Sequence, residues 1–510
     1  MNRRNWLISA AALGGVGGAL WWANKSAQVT MPGMSMSGGG MSGMGMTGGV
    51  AKSTERIREL PLGAPLPELA RLANTSNQPA SFEAVLEAGV ANREFLPGLV
   101  TQVLAYNGAF PGAMIEVAEG DRIKVTFKNR VPGQTSTVHW HGLDIPADQD
   151  GNPMDPVSSG GERVYEFTIP ADSAGSYWYH PHPHVLAAEQ LYRGLAAPFI
   201  VHGKNDPLPA ELGDTVLFIS SISLNADGTI AENTEADMFN GREGDHVLVN
   251  GAKQPVLVVP PGSSRRFRLY NATNGRFLRL SLEGHDMTLV GTDGGLMAAP
   301  VKGLKEILLA PAERAEIVVD FRAEAGRVAL TGMPYDHGWM GGGKPAAETL
   351  TLMTFELSGT AVSPITLPAT LREIAAFGEP AARKRLEFSE NMGMANGAMT
   401  MGFLIDGKSF DMNRIDLRSR AGQVELWEIY NGADMDHPMH VHGTQFQIVE
   451  REKDGKTSAE PILAWKDTVN VTAKETVRIK IRHSMAGLRM YHCHILEHEN
   501  SGMMGLLDVA

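Results

Sequence analysis

The chain has 510 residues, of which 43% are hydrophobic and 20% are charged, and its formal net charge is −12. At about 100–200 residues per domain, this length predicts two to four domains. The ordinary composition excludes global disorder. A polytopic membrane protein is also excluded, because only one apolar run approaches spanning length. The acidic balance argues against a nucleic-acid partner, which requires a basic face.

Residues 1–30 are predicted to be an export signal. Arg3 and Arg4 precede an apolar stretch over residues 6–23 that is interrupted by glycine and serine. Such a stretch is typical of a signal segment and is too weak for a stable membrane span. The arginine pair favours the twin-arginine route over a Sec signal or an uncleaved anchor. We therefore expect a periplasmic protein with no stable membrane insertion after signal removal.

The segment that follows changes abruptly in composition. Residues 31–49 carry six methionines among glycine and serine. They cannot bury a core and are expected to be disordered. Residues 50–79 are expected to form a linker to the first domain.

The rest of the chain contains three copies of one pattern. Each copy has a turn, a short apolar strand, a glycine-centred turn and an alternating strand that ends at Asn129, Asn271 or Asn431. Period-two alternation is typical of half-buried strands, so we predict an all-β protein. One short helix is expected over residues 368–377, in a linker. The three copies predict tandem β-sandwich domains at residues 80–205, 206–380 and 385–510.

Ten of the 16 histidines fall into four short groups, two in the first predicted domain and two in the third. Alternate residues of a strand share a face, so each His-x-His pair can present two imidazoles to one metal ion or to neighbouring ions. Four pairs supply enough ligands for a cluster of more than one ion. The paired residues are His139 and His141, His180 and His182, His440 and His442, and His492 and His494.

Cys493 is the only cysteine, and it lies between His492 and His494. Its side chain should therefore point to the opposite face of the strand from the two flanking imidazoles. With His437, His498 and Met503 it completes a set of one thiolate, two imidazoles and a weak thioether, which is typical of a blue-copper electron-transfer site. A structural zinc site fits less well, because such sites use several cysteines. Two metal centres joined by one tripeptide are predicted, with a short electron path between them.

The sequences HWHG, WYHPHPH, HPMHVHG and HCHILEHENSGMM resemble the copper signatures of the multicopper oxidases, and the resemblance covers nearly the whole mature chain. It implies three cupredoxin-like Greek-key β-sandwich domains and four copper ions. The resemblance assigns His437, Cys493, His498 and Met503 to the type 1 copper, His139 and His440 to the type 2 copper, and His141, His180, His182, His442, His492 and His494 to the type 3 pair. No ligand is missing, which argues against the metal-free members of the family that act in cell division.

The same resemblance implies the reaction. A donor loses one electron at a time at the type 1 copper, and O2 is reduced to water at the trinuclear cluster. Asp150, nine residues after His141, and Glu499, directly after His498, match acidic residues near the cluster in the family. We predict that they relay protons. We expect a monomer whose partners are O2 and the reductant.

Methionine placement favours Cu(I) as the reductant, since soft thioethers prefer that ion. One group of methionines lies just before the third domain, at the place where the cuprous oxidases carry a much longer methionine-rich insertion. Met435, two residues before His437, matches a family position that binds substrate copper, and Asp434 is expected to assist it. The candidate substrate ligands are Met435, Asp434, Met392, Met394, Met399 and Met401.

Two alternatives to a cuprous oxidase stay open. A laccase-like oxidase of phenols or dyes would use the same copper ions. A copper-sequestering protein would bind copper, and its oxidase activity would be incidental.

Overall fold

The computed structural model describes residues 55–395 and 398–510, without the side chains of residues 392, 394, 395 and 398–400. The expected export signal and methionine-rich segment lie outside the described residues. The described residues belong to one compact unit. Among them, no helix combines the length and the apolar character that crossing a membrane requires.

The first β-sandwich follows an extended segment over residues 55–79. Its elements are β1 (Ser81–Leu96), β2 (Leu99–Tyr106), β3 (Ile115–Ala118), β4 (Arg122–Arg130), β5 (His139–His141), a 3-10 turn (Ala147–Gln149), β6 (Glu162–Thr168), β7 (Gly175–His180), α1 (Ala187–Tyr192) and β8 (Ala197–His202). They form two sheets, in the orders β2-β1-β4-β6 and β3-β8-β7-β5. Strand β4 shows how the sequence produces a sheet with one buried face. Ile123, Val125 and Phe127 are buried while Arg122 and Lys124 are exposed, because successive side chains of a strand point to opposite faces.

The second sandwich begins after a 3-10 turn (Ala210–Leu212). Its elements are β9 (Thr215–Ile222), α2 (Glu235–Asn240), β10 (His246–Val249), β11 (Val256–Val259), β12 (Ser264–Asn271), β13 (Leu278–Leu282), β14 (Met287–Thr292), β15 (Gly295–Leu304), β16 (Glu306–Leu309), β17 (Arg314–Asp320), β18 (Gly326–Met333) and β19 (Leu350–Leu357). The sheet orders are β10-β9-β12-β17-β14-β15 and β11-β19-β18-β13-β16.

The third sandwich carries the last predicted ligand motifs. Its elements are β20 (Ala382–Ala395), β21 (Ala398–Ile405), β22 (Leu417–Ser419), β23 (Glu425–Asn431), β24 (His437–Val441), β25 (Phe446–Lys453), β26 (Lys456–Ala459), β27 (Thr468–Val471), β28 (Thr476–Ile481), β29 (Gly487–Cys493), α3 (Leu496–Asn500) and β30 (Met504–Val509). The sheet orders are β21-β20-β23-β28-β25-β26 and β22-β30-β29-β24-β27.

These six sheets confirm the predicted all-β class of three tandem, cupredoxin-like sandwiches. The residue boundaries between the domains stay a prediction. The helix expected over residues 368–377 is wrong, because that segment is irregular and contains no helical turn. Its backbone bonds to the flanking domains instead: the Leu371 N–H donates to the Ala298 carbonyl at 2.9 Å, and the Phe377 N–H donates to the Gln447 side chain at 2.8 Å.

Candidate metal centres

Strand pairing aligns the predicted histidine pairs within each domain. In the first domain, β5 and β7 are antiparallel and place His139 opposite His180. In the third domain, β24 and β29 place His440 opposite His492. The alternation along each short strand then carries the second imidazole of a pair to the same region, as the sequence predicts.

The eight paired imidazoles converge between the first and third domains, and all of them are fully buried. The ring of His139 stacks on that of His442 with centroids 3.8 Å apart, and His141 stacks on His440 at 3.7 Å. Three pairs of Nε2 atoms face one another: His139 and His440 at 3.4 Å, His182 and His492 at 3.3 Å, and His442 and His492 at 3.0 Å. Nitrogen atoms that share a metal at about 2.0–2.1 Å lie roughly 3.3 Å apart in tetrahedral geometry. The donor set therefore fits metal ions.

The outer nitrogens show how most of these rings are oriented. The Nδ1 atoms of His139 and His440 lie 2.9 Å from the carbonyl oxygens of Asp150 and Asp467, and that of His442 lies 2.9 Å from the Asp150 carboxylate. Donating the Nδ1 proton outward leaves the Nε2 lone pair free for a metal. Neither ring nitrogen of buried His494 has a hydrogen-bond partner among the described residues, and a bound metal would satisfy one of them.

Burial sets the charge of the cluster. Desolvation, and then repulsion between neighbouring imidazoles, lowers the pKa of His141, His440 and His442 well below the usual value. The same causes, opposed by Glu499, lower the pKa of His182 to about 4. These rings are neutral at pH 7, which is the form that binds a metal.

A second donor set lies inside the third domain. The Cys493 Sγ atom lies 3.4 Å from Nδ1 of His437 and 4.0 Å from Nδ1 of His498, and the two Nδ1 atoms are 3.4 Å apart. Met503 is fully buried in the same core, and its carbonyl accepts the Cys493 N–H at 3.0 Å. Burial raises the pKa of the Cys493 thiol well above its usual range, so only a bound metal would make it a thiolate at neutral pH. One thiol, two imidazoles and a methionine buried in the same core are the residue types of a copper site.

The two predicted acidic residues are buried against ligand imidazoles. The Asp150 carboxylate lies 2.9 Å from His442 Nδ1 and 3.4 Å from His139 Nδ1. The Glu499 carboxylate lies 3.2 Å from His492 Nδ1 and 3.6 Å from His182 Nδ1. Burial alone would raise the pKa of Glu499, but the neighbouring His182 and His492 hold it at about 2. Glu499 is therefore ionised at neutral pH.

The predicted substrate residues occupy different environments. Met435 is fully buried, and the backbone of Gly338 packs directly on it. The Asp434 side chain is 83% exposed and pairs with Lys474 at 2.8 Å. Backbone pairing sets Met392 opposite Met401 and Met394 opposite Met399 in the hairpin of β20 and β21. The side chain of Met401 is half-buried against the third core, while those of Met392, Met394 and Met399 lie outside the described residues.

Three residues at these centres were not anticipated from sequence. Glu390 Oε1 lies 3.2 Å from His437 Nε2, on the far side of that ring from Cys493. Asp467 Oδ1 lies 3.1 Å from His141 Nε2, and Arg314 forms a two-point ion pair with Asp467. None of the three lies in a histidine motif. An isolated acidic or basic residue carries no sequence signal for such a contact.

Comparison with known proteins agrees with this architecture. Family models described as multicopper oxidase match residues 88–206, 220–332 and 384–510. The multicopper oxidase mco of Staphylococcus haemolyticus is 32% identical over 461 residues, which cover 87% of this chain and 91% of that protein. The laccase of Bacillus subtilis is 28% identical over 514 residues, which cover 87% and 97%. A solved multicopper oxidase from Campylobacter jejuni, described as a metallo-oxidase, is 39% identical with a TM-score of 0.84 and covers 90% of this chain and 98% of its own.

The fold and the two buried donor sets define a class: copper-dependent oxidases that take electrons from a reductant and pass them to O2. The chain belongs to the multicopper oxidase family.

Proposed function

We propose that this chain is an exported cuprous oxidase, which couples the oxidation of Cu(I) to Cu(II) with the reduction of O2 to water. Four resident copper ions would provide one-electron transfer at the first centre and four-electron reduction of O2 at the second. The type 1 ligands are His437, Cys493, His498 and Met503, the type 2 ligands are His139 and His440, and the type 3 ligands are His141, His180, His182, His442, His492 and His494.

The observation that carries the proposal is the contact between Glu390 and His437. The imidazole is fully buried and turns Nδ1 toward Cys493, so Nε2 is its outer end. That nitrogen meets the Glu390 carboxylate, whose side chain is 12% exposed. The group at the outer end of the path from Cys493 through His437 is therefore a carboxylate oxygen. It attracts a cation and holds it close to the ring that leads to the thiol.

Two further findings support a metal ion as the electron donor. Glu390 lies on β20, two residues before the first of the hairpin methionines, and thioethers prefer Cu(I). The Campylobacter jejuni relative is described as a metallo-oxidase. Met435 is fully buried against Gly338, whereas the Glu390 side chain is 12% exposed, so we expect Glu390 to contact the substrate before Met435 does.

Asp150 and Glu499 relay the protons that the reduction of O2 requires. Each carboxylate bridges two ligand imidazoles, Asp150 on His139 and His442 and Glu499 on His182 and His492. A carboxylate fixed in this way can accept a proton from water and pass it inward without moving a ligand. Export to the periplasm by the twin-arginine route remains part of the proposal, on the strength of Arg3, Arg4 and the apolar stretch behind them.

The test is steady-state O2 consumption by copper-loaded protein with Cu(I) and with a phenol, for the wild type and for Glu390→Gln. We expect the substitution to slow Cu(I) oxidation about tenfold, which corresponds to a rise of about 1.4 kcal/mol in the activation barrier, and to affect phenol oxidation much less. Glu387→Gln is the matched control, because it removes a carboxylate from the same strand three residues earlier. Equal Cu(I) rates in the wild type and Glu390→Gln would contradict the proposal.

A laccase-like oxidase is the second candidate, since the Bacillus subtilis laccase is among the relatives. It predicts phenol turnover that exceeds Cu(I) turnover. It also predicts that phenol turnover persists after deletion of residues 31–46 and after Met435→Leu. A copper-sequestering protein predicts instead that Cys493→Ser leaves copper tolerance of the cell intact. Loss of tolerance in that variant excludes sequestration as the main role.

A further inference from the structure

The ring of His141 is oriented differently from its neighbours. In His139, His180, His440, His442 and His492, the Nδ1 atom lies 2.9–3.1 Å from an oxygen outside the cluster. In His141, Nδ1 lies 3.3 Å from His180 Nε2 within the cluster, and Nε2 points outward to the Asp467 carboxylate at 3.1 Å. A carboxylate can only accept, so it fixes the proton on Nε2 and leaves the Nδ1 lone pair for a metal.

The Asp467 carboxylate is itself held by an arginine from the second domain. Arg314 Nη1 and Nη2 lie 2.8 and 2.6 Å from the two Asp467 oxygens, and both side chains are buried. The guanidinium also donates from Nε to the Ser176 carbonyl at 2.8 Å in the first domain and from Nη2 to the Asp293 carbonyl at 3.1 Å in the second. Because the Arg314 guanidinium is hydrogen-bonded to residues of all three domains, its position is fixed.

We propose that Arg314 is a positioning residue for the copper cluster: its two-point grip on Asp467 fixes His141 as an Nδ1 ligand. The second domain contributes none of the proposed ligands and acts on the cluster through this arginine. The inference rests on the proposed assignment of His141 to the type 3 pair. A buried ion pair by itself is weak evidence of a contribution to stability. We therefore assign the pair of Arg314 and Asp467 a function through its contact with His141.

The first variant is Arg314→Met, with Arg268→Met as the matched control. Arg268 is equally buried in the second domain and forms a two-point pair with Asp214 at 2.7 and 2.8 Å, but it touches no cluster residue. The readouts are copper per chain, the type 2 electron paramagnetic resonance signal, and the near-ultraviolet band of the coupled pair relative to the blue band. For Arg314→Met we expect the cluster's copper affinity to fall about 10- to 100-fold while the blue band is retained. Arg268→Met should lower thermal stability and keep both bands.

Asp467→Asn gives a sharper test. The carboxylate uses both oxygens as acceptors: Oδ1 accepts from His141 Nε2 and from Arg314 Nη1, and Oδ2 accepts from Arg314 Nη2. An amide has one acceptor oxygen, so its NH2 faces a donor in either orientation, and in one of them that donor is His141 Nε2. The ring proton then moves to Nδ1, where it blocks the metal. We expect reduced cluster copper with a normal blue band. Adding Arg314→Met removes the competing donors and lets the amide oxygen face His141, so the double variant should recover part of the cluster copper.

Normal cluster loading in Arg314→Met, or equal cluster loss in Arg268→Met, would overturn the inference. So would a double variant that binds less cluster copper than Asp467→Asn alone, which is what a purely structural role predicts. If Arg314→Met does not accumulate, Arg314→Lys keeps the charge but loses the two-point fork, and fully normal loading there would also overturn it. The wild type separates the two proposals: incomplete loading of the wild type counts against the proposed function and not against Arg314.

Discussion

Burial lowers the pKa of several histidines of this protein, both at the centres and outside them. His483 is a useful case because it touches neither donor set. Desolvation, followed by repulsion from Arg489 and Lys384, lowers its pKa to about 3. The ring packs 6.3 Å from that of Trp427, and it is a core histidine rather than a ligand.

The low pKa of His483 predicts that the metal-free protein becomes less stable as the pH falls. In the unfolded chain this group titrates near 6.5, whereas the folded protein resists protonation down to about 3. The unfolded state therefore binds more protons as the pH falls below 6.5. The free energy of unfolding drops by up to about 1.4 kcal/mol per pH unit from this residue alone. His483→Phe should flatten the dependence between pH 6.5 and 4 in urea unfolding of the apoprotein. Parallel curves for variant and wild type would argue against it.

Residue-scale prediction from sequence succeeds where the pattern is local. His139 and His141 are two residues apart and His492 and Cys493 are adjacent, so the alternation of a strand already fixes their relative directions. The contact of Arg314 with Asp467 spans 153 residues, and that of His141 with Asp467 spans 326. Such contacts depend on how domains dock, which no local pattern encodes.

At the scale of elements, the turn after Asp150 positions that carboxylate. Gly151 has φ +77°, and a Cβ there would overlap the carbonyl of Val138 at the start of β5. The close approach of turn and strand brings Asp150 within reach of both His139 and His442. Repeated turn and strand motifs predict the sandwiches. The order of strands within each sheet could not be predicted, because alternation does not specify a partner.

Gly151→Ala should therefore displace Asp150 and lower cluster copper. Gly160→Ala is the control, since Gly160 has a similar φ of +83° but open space around it. We expect about 1–2 kcal/mol of strain in the control and about 1–3 kcal/mol more in Gly151→Ala from the overlap. Thermal unfolding and copper content measure the two effects. Equal losses in both variants would show that the close approach has no functional role.

At the scale of the whole molecule, the imidazole cluster joins the first domain to the third. His139 stacks on His442 and His141 on His440 across this boundary. The second domain supplies no candidate ligand, but its residues contact groups at both centres. The Phe239 carbonyl accepts from His498 Nε2 at 3.0 Å, and Arg314 forms an ion pair with Asp467.

Removing copper should therefore lower thermal stability. The donor set exists only in the folded protein, so bound metal stabilises that state by mass action. We expect the apoprotein to unfold at a lower temperature in calorimetry, and readdition of copper should restore the transition. An unchanged transition would show that the ligands are held equally well without metal.

The candidate ligands extend from His139 to Met503. Synthesis must therefore reach His494 before the imidazole cluster can be completed, and Met503 before the centre of Cys493 can be. A product that terminates before His492 lacks ligands of both centres and should acquire no blue colour.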